Sequence, residues 1–402
     1  MPKVHVKEIS EGLHVLRIDD DRVKYFEALW RIDEGITYNA YLLTGSDEVI
    51  LFDTWKRNYE SDFLELLRSL IDPRDITHVI VHHMEPDHSG SLAEVLRENG
   101  FRAEVLGHPL AGSMLKSFYG IEAKFKPVRD GDKLELRDFD LRFLHTPWLH
   151  WPETIMSYLE DQKILFSGDA FGGFSIPPKL FDDEEEIVSK YLPSVRRYIS
   201  TIIGSYRGHI LRNVRKIEDQ GIEIRLIAPA HGLIWRKNPK RIIDYYVKVA
   251  RGVPEEGKVL IVYTSMYGSC EEAARIVADE LRKNSKNPVV HRFTDVDQAS
   301  VSWVIGDAAD SESMIIISPT YENGVFPTIA HIIDLISRKI PPKPVLAISS
   351  YGWAPAAAKL ISETLSRTGF EIVDMIDFRG AVREVDAERI RAGVRKLIGE
   401  KS

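Results

Sequence analysis

The sequence predicts an α/β protein in two parts, a layered sheet-and-helix build followed by a doubly wound parallel sheet. Three observations predict it. The first half mixes short hairpin-like apolar runs with amphipathic helices, which reads as sheets covered by helices. The second half alternates strand and helix in a βαβαβ rhythm, the pattern of an open parallel sheet. Between them lies Arg251-Gly252-Val253-Pro254-Glu255-Glu256-Gly257, whose two glycines, proline and charges mark a domain edge. The expected domains are 1–252 and 257–402.

In the first part, apolar runs predict strands over 13–17, 38–43 and 49–52. A 3.6-residue period predicts a helix over 59–71. A strand over 76–81 leads into a polar run, and a helix follows over 91–99. Further strands are expected over 103–106, 134–136, 141–145, 154–159 and 163–167. Helical patterns cover 184–202 and 210–219, and a last strand over 225–228 runs into Pro229-Ala230-His231-Gly232. In the second part, strands fit 258–263, 288–293, 313–318, 344–349 and 372–378. Helices fit 271–283, 328–338, 355–368 and 386–401.

Composition limits the function. The chain has 402 residues and a net charge of −8, which argues against a nucleic-acid surface. One cysteine, Cys270, suits a reducing cytoplasm and leaves no thiolates for an iron–sulfur or rubredoxin-type site. No run of 18 apolar residues is present, so no transmembrane helix is expected, and the N-terminus has no apolar signal core.

The chemistry concentrates in His83-Met84-Glu85-Pro86-Asp87-His88, four metal-ligand side chains in six positions, read as a loop between a strand and a helix. Three more candidates follow apolar runs and so stand at sheet mouths: His150, Asp169 and His231. Taken singly, each has an ordinary reading. A strand-end histidine is usually packed or capping, and Asp87 or Asp169 could cap a turn. Together they make four His, two Asp and one Glu, too many for one structural ion and suited to two bridged metals. Glu85 adds hard oxygen to a nitrogen-rich set, which favours iron or manganese over zinc.

The second part offers an anion site. The strand over 258–263 ends in Thr264-Ser265-Met266-Tyr267-Gly268-Ser269-Cys270, a hydroxyl- and glycine-rich turn opening a helix. It is neither the dinucleotide fingerprint nor a P-loop, so a terminal monophosphate fits better. Two further loops, Pro319-Thr320-Tyr321-Glu322-Asn323-Gly324 and Ser349-Ser350-Tyr351-Gly352-Trp353, follow the third and fourth strands, where ligands of open sheets bind. Their aromatic rings can stack on a planar ligand. For Tyr351 and Trp353 the plain alternative is core packing.

These motifs, His83-x-Glu85-x-Asp87-His88-x-Gly90, Leu149-His150-Trp151-Pro152, Asp169-Ala170-Phe171 and His231-Gly232-x-Ile234-Trp235, resemble the flavodiiron proteins over nearly the whole chain. The resemblance implies a metallo-β-lactamase-like αββα sandwich followed by a flavodoxin-like doubly wound parallel sheet. It implies one iron on His83, Glu85 and His150, another on Asp87, His88 and His231, and Asp169 as the bridge. It implies FMN, its phosphate held by Ser265 to Cys270 and its ring by the 319–324 and 349–353 loops. The implied activity is reduction of dioxygen to water or of nitric oxide to nitrous oxide. Electrons would come from an external donor, rubredoxin or a reduced deazaflavin cofactor, in a head-to-tail homodimer or a dimer of dimers. A reduced flavin plus a diferrous pair holds the four electrons that dioxygen requires. Four positions depart from the family pattern: His82 stands where Asn is common, Glu153 where Asp is, Glu27 near a frequent His, and Cys270 where Thr is usual. His82 is expected to orient neighbouring groups rather than bind metal. The rival readings are a dinuclear zinc hydrolase with a flavodoxin-like regulatory domain, and a flavodoxin-like electron carrier with a metal-free first domain.

Overall fold

The computed structural model describes residues 2–400 and divides into two compact units, Met1–Tyr198 with Gly208–Val247, and Ile199–Arg207 with Lys248–Ser402. The helix expected over 386–401 runs Glu384–Leu397, and the last position of that expectation lies outside the described residues.

The first unit is a sandwich of two sheets. The seven-stranded sheet runs Lys3–Ser10, Leu13–Asp20, Ile36–Thr44, Val49–Phe52, His78–Val81, Glu104–Gly107 and Lys124–Pro127. Its first four strands pair antiparallel and its last four parallel. The five-stranded sheet runs Lys133–Glu135, Asp140–His145, Ile155–Leu159, Ile164–Gly168 and Leu226–Pro229, and only its last pair is parallel. The sheets close on one apolar layer that includes Val15, Leu43, Phe52, Ile80, Phe143, Ile155, Phe166 and Ala228, all nearly inaccessible. The rings of Phe52 and Phe166, one from each sheet, stack at 3.9 Å between centroids. This is the metallo-β-lactamase-like sandwich.

The second unit is a parallel sheet in the order Asn287–Phe293, Lys258–Thr264, Ser313–Tyr321, Pro344–Tyr351 and Glu371–Arg379. In chain order that is two-one-three-four-five, the flavodoxin arrangement, with the switch point between the first and third strands. A short strand, Gly324–Val325, turns back on the third. The three inner strands are buried almost throughout, as in a sheet covered by helices on both faces, while the outer strands Asn287–Phe293 and Glu371–Arg379 are partly exposed.

Several elements depart from the sequence reading. The polar run expected to be a loop contains one helical turn, Pro86–Ser89, with Pro86 at its first position, where a missing N–H is harmless. The helix expected over 184–202 ends as α-helix at Tyr198 and continues as a wide turn, Ile199–Ile203. The sequence reading also left unassigned the edge strand Lys3–Ser10, the hairpin Tyr25–Phe26 with Trp30–Arg31, the short strands Lys124–Pro127 and Gly324–Val325, and the helices Pro109–Tyr119, Pro239–Arg251 and Val301–Ala309. The edge strand is mostly exposed, so burial never constrained its pattern.

Candidate metal centre and flavin site

The four segments bearing the expected ligands start where strands stop. His83 follows His78–Val81, His150 follows Asp140–His145, Asp169 follows Ile164–Gly168, and His231 follows Leu226–Pro229. The turn Pro86–Ser89 sets Asp87 and His88 on adjacent positions of one helical turn. All seven side chains meet, and six of them are buried, Glu85 being partly so.

Asp169 organises the cluster. Its Oδ2 lies 3.3 Å from His83 Nε2 and 3.1 Å from His150 Nε2. Its Oδ1 lies 2.8 Å from His88 Nε2 and 3.3 Å from His231 Nε2. Glu85 Oε2 sits on the first side, 2.8 Å from His150 Nε2 and 3.5 Å from His83 Nε2. Asp87 Oδ2 sits on the second, 3.3 Å from His88 Nε2 and 3.6 Å from His231 Nε2. Ligand atoms therefore fall into two half-sites joined by one carboxylate, and three overlapping groups have spacing suited to metal ions: His83–Glu85–His150–Asp169, His83–Asp87–His88 and His88–Asp169–His231.

The electrostatics call for cations. Burial opposes the charge on Asp169, but the His83 and His88 imidazoles hold its carboxyl well below the usual range. Glu85, also disfavoured by burial, is held at about 2 by His150 and His83. In turn the imidazoles are driven upward against burial: His83 well above its ordinary value, His88 upward, and His150 to about 10. Asp87 moves up, chiefly through burial. Without cations, the Asp169 and Glu85 carboxylates thus recruit protons onto the imidazoles. Two dications meet the same demand and leave the imidazoles neutral, as ligands must be. The ring nitrogens of His83 and His88, His231 Nε2, both Asp87 oxygens and Asp169 Oδ1 are buried, and although several lie close together none is aligned for a hydrogen bond. Orphaned atoms of this kind suit metal bonds, so the residues fit a pair of ions.

Supporting contacts fix the ligands. His231 Nδ1 lies 2.6 Å from the Thr37 carbonyl, which only accepts, so Nδ1 carries the hydrogen and Nε2 is free for a metal. His82 stays out of the cluster: its Nδ1 meets Asp53 Oδ2 at 2.6 Å and its Nε2 meets Ser157 Oγ at 2.8 Å. Glu153 Oε1 accepts from the Met84 N–H at 3.1 Å, steadying the ligand run. Sequence reasoning missed Tyr38 and Tyr198 in the aromatic lining. Phe26, Tyr38 and Tyr198 surround the His231 ring at 6.1, 5.6 and 5.7 Å between centroids. Nothing in their local pattern separates them from core residues.

In the second unit the three expected loops meet at the carboxyl end of the sheet around a cavity of about 430 Å³. Met266, Tyr267 and Ser269 line it from the first loop, and Pro319, Thr320, Tyr321 and Glu322 from the second. Ser350, Tyr351, Gly352 and Trp353 line it from the third, with Gly380 as an unforeseen addition. Tyr267 is 92% exposed and Trp353 75% exposed, which rules out core packing for Trp353. Other residues of the loops shape the walls from behind. Ser265 Oγ accepts from the Gly268 N–H, Ser349 Oγ lies 3.2 Å from Thr320 Oγ1, and Asn323 Oδ1 accepts from Trp353 Nε1. Gly268 takes φ 90°, which a side chain rarely adopts, and Ser269 then opens the 15-residue helix Ser269–Lys283. Cys270 turns inward: its Sγ meets Ser350 Oγ at 3.2 Å, and burial pushes the thiol up to about 11. Free amides at a helix start, hydroxyls and exposed rings fit a flavin monophosphate.

Fold and sites together define a metal-binding sheet sandwich joined to a flavodoxin-type domain. Comparison with known proteins gives the same result. The ODP family beta lactamase model matches residues 36–232 and the flavodoxin model residues 261–393. A flavoprotein structure from Thermotoga maritima is 40% identical with a TM-score of 0.94, covering 100% of this chain and 99% of that one. Rubredoxin oxygen:oxidoreductase from Desulfovibrio gigas is 26% identical with a TM-score of 0.92, over 98% of both chains. A nitric oxide reductase from Moorella thermoacetica is 28% identical over 91% of this chain and 90% of its own length. The chain belongs to the flavodiiron proteins, a family of oxidoreductases.

Proposed function

We propose that this chain reduces dioxygen, nitric oxide or both, using electrons that an external donor delivers to FMN in the domain 257–402 and that pass to two irons in the domain 1–252. The observation that carries the reading is the division of the two Asp169 oxygens between two imidazole pairs, each with its own carboxylate. On this reading His83, Glu85 and His150 hold one iron, Asp87, His88 and His231 hold the other, and Asp169 bridges them. When bound, the flavin supplies a two-electron store and the irons supply one-electron chemistry and Lewis acidity.

The chain's own residues do the rest. Asp169 fixes the separation of the half-sites. Thr37 and Asp53 hold His231 and His82 in register through the hydrogen bonds above. Phe26, Tyr38 and Tyr198 keep bulk water from the His231 side. Tyr351 and Trp353 flank the flavin cavity, and the turn at Ser265–Ser269 supplies amides and hydroxyls for its phosphate.

Rubredoxin or a reduced deazaflavin cofactor is the donor this family reading supplies, and a head-to-tail homodimer, alone or paired, brings one subunit's flavin to the partner's irons. The names of the relatives support both gases: one is an oxygen oxidoreductase, one a nitric oxide reductase. Among the described residues no helix is long and apolar enough to cross a membrane, and with a single cysteine we assign the protein to the cytoplasm.

The deciding experiment compares turnover of dioxygen and of nitric oxide by the iron- and FMN-loaded protein under a saturating chemical reductant, with His231→Ala alongside. The variant is expected to lose about half its iron and nearly all gas turnover, and to keep its FMN. Unchanged turnover in the variant rejects the assignment.

A further inference from the structure

Tyr38 lies in the strand Ile36–Thr44, and its side chain is inaccessible. Its hydroxyl has no hydrogen-bond partner among the described residues. Burying a hydroxyl unpaired costs free energy, so such a group calls for an explanation. Its position supplies one. The ring stands edge-on to His231 at 5.6 Å and to His88 at 6.4 Å, the two imidazoles that share a half-site with Asp87. A phenolic hydroxyl keeps its hydrogen at neutral pH, so it is a donor beside the half-site.

The residues on either side of it have other tasks. The Thr37 carbonyl accepts from His231, and Thr37 Oγ1 accepts from the Gly232 N–H at 2.7 Å. The Asn39 amide donates to the carbonyls of Pro229 and Gly232. Both anchor the loop that presents His231. Tyr38 anchors nothing, although a phenylalanine would fill the same space without the unpaired oxygen.

We propose that the Tyr38 hydroxyl is the hydrogen-bond donor to the small ligand taken up by the metal pocket, an anion or a reduced diatomic gas, and orients it on the His88–His231 side. This rests on the diiron reading of the pocket. It makes Tyr38 a substrate-positioning residue that keeps an unpaired group in the ligand-free protein and pairs it on binding.

The test uses Tyr38→Phe in the iron- and FMN-loaded protein, with azide as the probe. Azide affinity, followed by the visible absorption of the oxidised protein, is expected to weaken about tenfold, equivalent to about 1.4 kcal/mol. Iron content should be unchanged, and the metal-free variant should melt at the same temperature as wild type or higher, because no native bond is lost. An unchanged azide affinity overturns the proposal. So does a lower melting temperature, which would reveal a structural partner, or a lower iron content, which would place the hydroxyl on Asp87. If wild type takes up no iron, the diiron reading falls and the inference falls with it. If iron-loaded wild type binds no azide, or wild type and variant bind it equally, only the inference falls.

Discussion

Asp169 shows how one side chain sets the chemistry of a whole pocket. Its two oxygens face opposite pairs of imidazoles, and the charges around it draw protons onto the imidazoles where the proposed metals would sit. His150 makes the consequence measurable. Its pKa is raised from the ordinary value near 6.5 to about 10, so it keeps its proton at pH 8. A raised folded pKa gives stability that is fully present below the unfolded value and is lost as pH rises through the folded one. The melting temperature of the metal-free protein should therefore fall between about pH 7 and pH 10, where an unfolded histidine is already neutral. Adding ferrous iron anaerobically at pH 8 should release at least one proton per protein into weak buffer, read with an indicator dye. A flat melting profile together with no proton release would contradict the electrostatic account.

At the scale of elements, the ligands depend on how strands end. The strand Leu226–Pro229 must turn sharply to present His231, and it does so at Gly232, with φ 77°. A Cβ at Gly232 would collide with the Tyr191 hydroxyl. Gly232→Ala is thus both conformationally strained and sterically blocked. It should destabilise the protein by about 2 kcal/mol or more and lower iron content, measured by chemical denaturation and metal analysis. If the variant has wild-type stability, the turn is not under the constraint described. The helical turn Pro86–Ser89 makes a related point. Periodicity cannot reveal four residues of helix inside a run of ligands, so Asp87 and His88 were legible as ligand types but not as neighbours on one turn.

For the whole molecule, the proposed head-to-tail dimer makes a prediction that a monomer does not. The His231→Ala protein with FMN bound and wild-type protein stripped of FMN are each expected to be inactive alone. Mixed and allowed to exchange subunits, they should recover roughly a quarter to a half of wild-type gas turnover, because a hybrid dimer pairs one intact flavin with one intact diiron site. No recovery, with hybrids verified by mass spectrometry, would mean that electrons do not cross between subunits.

The sequence by itself determined the two-part α/β architecture, the seven residues that gather in the candidate metal centre and the three loops that line the candidate flavin cavity. These are local properties: hydrophobic period, turn residues and ligand-bearing segments at strand ends are all written within a few positions of one another. Only the tertiary structure decided which oxygen of Asp169 faces which histidines, that His82 turns to Asp53 and Ser157, that Cys270 turns to Ser350, and that Tyr38 stands beside His231 with an unpaired hydroxyl. Each of those facts depends on residues between 19 and 193 positions apart. Contacts over such separations are fixed by sheet packing, and no pattern along the chain encodes them.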